Sequence, residues 1–441
     1  MKAVFTKNFS FKEFLKFVAP AIVSMIFLSL YTIVDGVFVS RFIGPDALAS
    51  INITLPIMNL IFGFGIMLST GGAAVVSIKM GKHKMDEANK TFTLVVLTAL
   101  AIGIPLGIIG FIFVEPIAVA LGATDKLLPF CVNYGKWVFL FMPIFITKAL
   151  FEFFVRADGR FNFSMMLTIL GGIINIILDY TFIKIFGMGI AGAAIATSLG
   201  ALIPSLIALV YFMSSKSTLK FSFGKLPTRE LISIMINGSS EMVTELSSGI
   251  TTFFFNIIAI KFAGESGLAA LTIILYAHFL LVSTYLGFSM GISPLLSYNH
   301  GAKNIEKIKE TFKYSKQFII GSGFLIFAIA MIFAPELVVI FVPKSSHVYE
   351  LACSGLKLFS ICFLFCGINI CSSGMFTAFS NGKLSSIIAL SRSLVFVMIG
   401  FAILPNLLAI DGLWLVVPFA EILTLGISIY LLKKYKAVYH Y

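Results

Sequence analysis

The chain has 441 residues, 59% of them hydrophobic and only 12% charged, with a mean hydropathy of +1.02 and a formal net charge of +12. Soluble domains carry about 25% charged residues, so this composition excludes a soluble globular protein. The positive balance points to membrane loops rather than to nucleic acid, because Lys and Arg collect in the cytoplasmic loops of membrane proteins. Twelve apolar runs follow in chain order, near residues 14–40, 47–77, 91–114, 130–155, 163–184, 190–213, 231–260, 266–296, 313–334, 349–379, 385–405 and 409–432. Each is long enough to cross roughly 30 Å of hydrocarbon as a helix. The alternating ten-residue segments of a membrane barrel are absent. The first run starts near Phe14 and continues past Val34, which is too long for the core of a cleaved leader, so it is expected to be a retained span. Pro20, Pro56 and Pro143 fall inside runs and are expected to bend them. The five cysteines, Cys131, Cys353, Cys362, Cys366 and Cys371, form no CxxC pair and read as packing residues.

The loops alternate in charge. One side runs from Lys2–Lys16 through Lys79–Lys90, Arg156 and Arg160, Lys216–Arg229 and Lys303–Lys316 to Lys433–Lys436, and the other side is poor in Lys and Arg. The positive-inside rule then makes both termini cytoplasmic, in agreement with an even number of spans. The longest polar connection, residues 214–230, lies at the midpoint. Around it the sequence repeats: Phe14–Phe92 aligns without a gap on Ile234–Phe312, matching Gly44 with Gly264, Gly71 with Gly291, Ser77 with Ser297 and Gly81 with Gly301. At the same offset Gly192 meets Gly412. The expectation is an all-α polytopic membrane protein of two pseudo-symmetric six-helix lobes, residues 1–213 and 231–441, joined by a cytoplasmic linker at 214–230. Six spans per half give a parallel repeat, and substrate sites of such transporters lie where the repeats meet.

A carboxylate in mid-membrane costs about 2.5–3.5 kcal/mol, so each buried acid is a functional candidate. In the first half, Asp35 lies in the first span, Glu152 in the fourth, and Asn175 and Asp179 one turn apart in "GGIINIILDYTF" of the fifth. The sixth places Thr197 one turn beyond Ala193 in "GIAGAAIATSLG", whose small residues let helices approach closely. Asp35, Asn175, Asp179 and Thr197 supply two carboxylates, an amide and a hydroxyl. That set of oxygens suits Na⁺, and it suits H⁺ equally, because two nearby carboxylates cannot both ionise cheaply. The bland alternative is a polar network that only holds helices together. In the second half, Glu241 and Glu245 sit one turn apart in "GSSEMVTELSSG", a pair that attracts cationic ligands, although Glu241 also fits a solvated helix start. Lys148 and Glu152, one turn apart, read as an ion pair or as part of a substrate cavity, to which Tyr31 is added. Arg392 is able to snorkel, Glu421 is a candidate partner for it, and His278 reads as a packing histidine. The 47 Phe and 17 Met give adaptable apolar walls. There is no P-loop, GxSxG or HExxH, so neither an enzyme nor a primary pump is indicated, and no cofactor is expected.

These residues resemble the multidrug and toxic compound extrusion (MATE) family, in its bacterial MepA-like branch. The resemblance rests on "YTIVDGVFVSRFIGPDALASINITLPI", "FVRADGRFNFS", "NIILDYTFI", "GMGIAGAAIATSLG" and "GISPLLSYNHGAKN", in that order along the whole chain. It implies a V-shaped, alternating-access antiporter of the bacterial plasma (inner) membrane, acting as a monomer among membrane lipids and exporting cationic drug-like molecules against Na⁺ or H⁺. It places a cation site on Asp35, Asn175, Asp179 and Thr197, with the Ala193 carbonyl as a further ligand, and it matches Glu152 to an acid of the MepA-like branch. The tenth span, "LFSICFLFCGINICSSGMFTAF", departs from relatives that carry an acid there, which puts a second-lobe cation site in doubt. Within the same superfamily a flippase for lipid-linked oligosaccharides is the competing reading. It would favour a cationic cavity, whereas the intramembrane charges here are mostly acidic. A receptor or a channel explains neither the acids nor the repeat.

Overall fold

Leu231–Gly301 is a run of 71 helical residues, which as one rod would reach about 107 Å, several times the membrane thickness. It does not stay straight. Gly264 takes φ 59° and ψ −148°, a backbone region open to glycine but strained for other residues. A Cβ on Gly267 would lie 2.7 Å from the Ala259 carbonyl oxygen, so the two arms run back to back and cross twice. The computed structural model that shows this describes residues 5–441, apart from the side chains of Pro45 and Leu48. Lys2 of the lysine-rich side lies outside the described residues.

The helices are α1 (Phe11–Phe42), α2 (Pro45–Gly81), α3 (Met85–Ile112), the short α4 (Val114–Ala120), α5 (Leu128–Leu140), α6 (Met142–Ala157), α7 (Phe161–Asp179) and α8 (Gly189–Met213). The doubled α9 (Leu231–Gly301) is followed by α10 (Ile305–Ile332), the short α11 (Ala334–Val339), α12 (His347–Ser360), α13 (Phe363–Ala378), α14 (Gly382–Leu390), α15 (Phe396–Trp414) and α16 (Val416–Tyr439). Among the described residues nine helices are long and apolar enough to cross a membrane, and the bent pairs α5–α6 and α12–α13, at 53° and 52°, add two. With α9 counted twice, the spans number twelve. The α5–α6 bend sits beside Pro143, as expected, while Pro20 and Pro56 are carried inside α1 and α2. α1 starts on a reciprocal cap: Ser10 Oγ accepts from the Glu13 amide at 3.3 Å and the Ser10 amide donates to Glu13 Oε2 at 2.9 Å.

The repeat is visible in the backbone. His83 and Lys303, equivalent in the two halves, both take positive φ after helices ending at Gly81 and Gly301. The halves interlock at this lysine-rich end. A Cβ on Gly81 would collide with the Tyr298 carbonyl, and one on Gly301 with the carbonyl of Ile78, the repeat mate of Tyr298. Nearby, a Cβ on Gly238 would collide with the Met67 carbonyl. The chain before α1 crosses the same seam. Phe5, fully buried, stacks on Tyr298 at 5.1 Å and meets Phe161 edge-on at 6.3 Å. Asn299 Nδ2 donates to the Phe5 carbonyl at 3.0 Å, and the Phe9 amide donates to Glu310 Oε1 at 3.1 Å. Residues 214–230 lie along the first half: Asp158 Oδ2 accepts from Tyr211 at 2.5 Å and from the Thr218 amide at 3.1 Å, and Lys79 pairs with Glu230 at 2.6 Å. Cys131, Cys362, Cys366 and Cys371 are buried and unbridged.

Candidate functional site

α7 and α8 approach closely where both carry glycine: a Cβ on Gly171 would lie 2.6 Å from the Gly200 carbonyl oxygen. That approach lets their polar side chains meet. Asn175 Nδ2 donates to Thr197 Oγ1 at 3.3 Å, and Thr197 Oγ1 donates to the Ala193 carbonyl at 3.0 Å. Asp179, one turn beyond Asn175, is 0% exposed, and Asn175 is 3% exposed. From α1, the Asp35 carboxyl faces that of Asp179. The structure therefore brings together Asp35, Asn175, Asp179, Thr197 and the Ala193 carbonyl. Asp35 Oδ1, Asn175 Oδ1 and both Asp179 carboxylate oxygens are buried without a hydrogen-bond donor. Four such acceptors in one place are costly unless a proton or a cation joins them. Among the described residues no three His, Cys, Asp or Glu side chains are placed to hold a metal ion. A cation here would lean on amide, hydroxyl and carbonyl oxygens beside only two carboxylates, a hard all-oxygen set.

Tyr134 of α5 stands within electrostatic reach of both acids and was missed by sequence reasoning. Beside the cluster lies a second tier. Lys148 Nζ and Glu152 Oε1 are 3.5 Å apart, both side chains largely buried, and Tyr31 faces this pair and Asp35. The Tyr31 ring is pressed against α7 at Gly172, where a Cβ would lie 2.8 Å from it.

Glu241 and Glu245 stay apart from these groups, in the first arm of α9. Glu245 faces α2 at Gly63, where a Cβ would lie 3.6 Å from Glu245 Cβ. Glu241 faces Arg392. Arg392 itself is held by Glu421, Nε to Oε1 at 2.6 Å, and Asn369 Nδ2 donates to Glu421 Oε2 at 2.7 Å. Ser428 Oγ donates to Asn369 Oδ1 at 2.7 Å and completes the chain. The second half thus fills its polar centre with an internally neutralised network. His278 packs among rings, 5.0 Å from Phe359 and 5.8 Å from Phe363.

A family model described as MatE matches residues 20–181 and 242–402. A multidrug export protein MepA of Staphylococcus haemolyticus is 26% identical over 419 residues, covering 92% of this chain and 90% of the relative. A protein of the same description from Staphylococcus aureus is 25% identical over 404 residues, covering 90% and 88%. Among solved structures, an outward-facing multidrug resistance MATE family transporter of the MOP superfamily superposes with a TM-score of 0.93 at 22% identity, over 100% of this chain and 99% of that one. A MOP superfamily transporter from Pyrococcus furiosus, described as having a binding pocket of reversed polarity, superposes with a TM-score of 0.92 at 21% identity over the same shares.

Proposed function

The chain belongs to the MatE family of membrane transporters, and from that footing we propose that it is a cation-coupled antiporter that exports cationic, amphipathic drug-like molecules by alternating access. The relatives named as multidrug export proteins support drug-like substrates, and the acidic intramembrane residues support cationic ones. The observation that carries the coupling is the group of four buried oxygens without a donor on Asp35, Asn175 and Asp179. Na⁺ or H⁺ entering there neutralises the facing carboxylates, with Thr197 and the Ala193 carbonyl completing the ligand shell for Na⁺. Tyr31, Lys148 and Glu152 then form the wall toward the drug, and Glu241 and Glu245 offer negative charge from the other lobe. The seam closed at the lysine-rich end supports a state open on the opposite face, with the lobes at residues 1–213 and 231–441. In the plasma membrane of a bacterium, with both termini cytoplasmic, the inward membrane potential contributes about 2.3 kcal/mol per charge per 100 mV. That free energy moves drug outward if cation and drug favour opposite openings of a monomer.

Ethidium efflux from reconstituted vesicles tests this, with Na⁺ and pH gradients imposed separately. The wild type is expected to run on one gradient, and Asp179→Asn to lose coupled efflux while remaining folded. Undiminished efflux in Asp179→Asn removes the site from the mechanism. No efflux under either gradient transfers the proposal to a flippase for lipid-linked oligosaccharides.

A further inference from the structure

The two halves carry the same lateral groove in different dress. In the second half, α10 and α16 both lean on α13 and leave a groove of about 380 Å³ between them. That lies within the range of ligand pockets, about 300–1,000 Å³. Its walls are apolar, with Ile319, Ile320, Ile368, Ile429 and Leu432 among them, and no Asp or Glu lines it. From Phe312 to Ile320 it follows α10 for about 12 Å, most of the roughly 15 Å of hydrocarbon in one leaflet. Its mouth carries Lys316, Lys433 and Lys436, all exposed, and none forms an ion pair among the described residues. Ser315, 2% exposed, is among the lining residues, and its own Oγ is buried without a hydrogen-bond partner. Tyr441 forms one wall, its hydroxyl donating to the Leu432 carbonyl at 2.7 Å and its ring 4.7 Å from Phe312.

The first half holds the equivalent groove between α3, α6 and α8. There Leu209 stands where the second half has Ile429, so the apolar channel is a property of the repeat. The charge is only partly shared. Val96 stands in place of Lys316 and Met213 in place of Lys433, while Lys216 stands at the position of Lys436 but does not line the groove; Lys220 is the lysine that does, beside the linker rings Phe221 and Phe223. An apolar channel one leaflet deep, with three ammonium groups at its mouth that form no ion pair among the described residues, matches one ligand chemistry: acyl chains below an anionic phosphate. Lysine stems extend along the apolar wall and hold their charged ends at the headgroup level.

We propose that the α10–α13–α16 groove is a binding site for an acidic diacyl phospholipid of the leaflet at the lysine-rich end, which is the cytoplasmic leaflet in the topology proposed above. The acyl chain lies along Ile319, Ile320 and Ile429. The phosphate sits among Lys316, Lys433 and Lys436.

The test is native mass spectrometry of the full chain in detergent, with dioleoylphosphatidylglycerol or dioleoylphosphatidylcholine added. The wild type is expected to retain the anionic lipid about tenfold better, as several lysines near one headgroup imply. The triple variant Lys316→Gln, Lys433→Gln, Lys436→Gln is expected to lose that preference, and the corresponding triple Arg variant to keep it. Ile429→Trp, which fills the channel and leaves the lysines in place, is expected to lose the bound lipid. Inorganic phosphate is expected not to displace it. The proposal is overturned if the triple Gln variant retains phosphatidylglycerol like the wild type, which would mark a general lipid annulus. It is overturned equally if Ile429→Trp still binds the lipid, which would show that the channel holds no acyl chain, or if inorganic phosphate displaces it, which would describe a site for anions rather than lipids. Size-exclusion profiles of all variants establish that they are folded.

Discussion

Asp179 has two carboxylate oxygens and no donor for either, whereas Glu421, also buried, has every need met. The contrast separates a residue available to a cation from one already neutralised. It also gives a stability prediction. Removing Arg392 alone strands the Glu421 charge in the interior, and breaking a buried pair this way costs about 3–5 kcal/mol, whereas replacing both partners with apolar groups is often neutral. Arg392→Met is therefore expected to lower the thermal unfolding midpoint in detergent markedly, and Arg392→Met with Glu421→Leu to restore most of it. Equal loss in both variants would show that the network does more than balance charge. The first-lobe cluster was legible because Asn175 and Asp179 announce themselves by spacing on one helix, because Asp35 is a lone carboxylate in an apolar span, and because Thr197 lies among the small residues of another. Tyr134 was not legible: it is one of 13 tyrosines, and only the fold carries α5 to the acids. Glu421 was legible as a candidate partner of Arg392, but the two sit on different helices and sequence order gives no distance between them, so only the fold shows the pair.

Paired helices explain which features of the fold were readable. Long apolar runs gave the spans, and Gly44, Gly264, Gly81 and Gly301 gave the repeat, because a backbone of positive φ, as at Gly44 and Gly264, or one with no room for a Cβ, as at Gly81 and Gly301, is written in the sequence as glycine. The stretches from Tyr180 to Ile185 and from Ser391 to Val395, which wind as π-helix, left no such trace, since any residue type accepts that local widening. Ala409 turns the chain with φ 50° and carries no glycine to mark it. The α2–α9 contact yields a prediction of its own. Gly238→Val places branched carbons against the Met67 carbonyl and is expected to force the seam open at the lysine-rich end. Ser77→Cys, in a background without the five native cysteines, reports this directly. Its labelling by a water-soluble maleimide added to the lysine-rich face is expected to rise at least about tenfold with Gly238→Val, as a shift of about 1.4 kcal/mol would produce. Unchanged labelling would mean that the helices adjust locally and the lobes do not separate.

At the scale of the molecule, one six-helix plan has been built twice and furnished differently. The first copy keeps buried acids without donors, the second an internally satisfied ion pair, and the lateral grooves differ in charge in the same uneven way. Repeat symmetry could be read from glycines because they serve the shared backbone. The differences lie in side chains that the shared backbone leaves free, and their roles emerged only when the helices were in place. The seam at the lysine-rich end joins the copies through Phe5, Phe14, Tyr298 and Phe288. Any state that opens there must wet those rings, and wetting apolar surface raises heat capacity. In the alternating-access cycle proposed above, the balance between the two openings should then be curved in temperature, with the seam gripping less firmly as the membrane cools. A transporter held shut by aromatic rings carries, in that grip, a built-in thermometer.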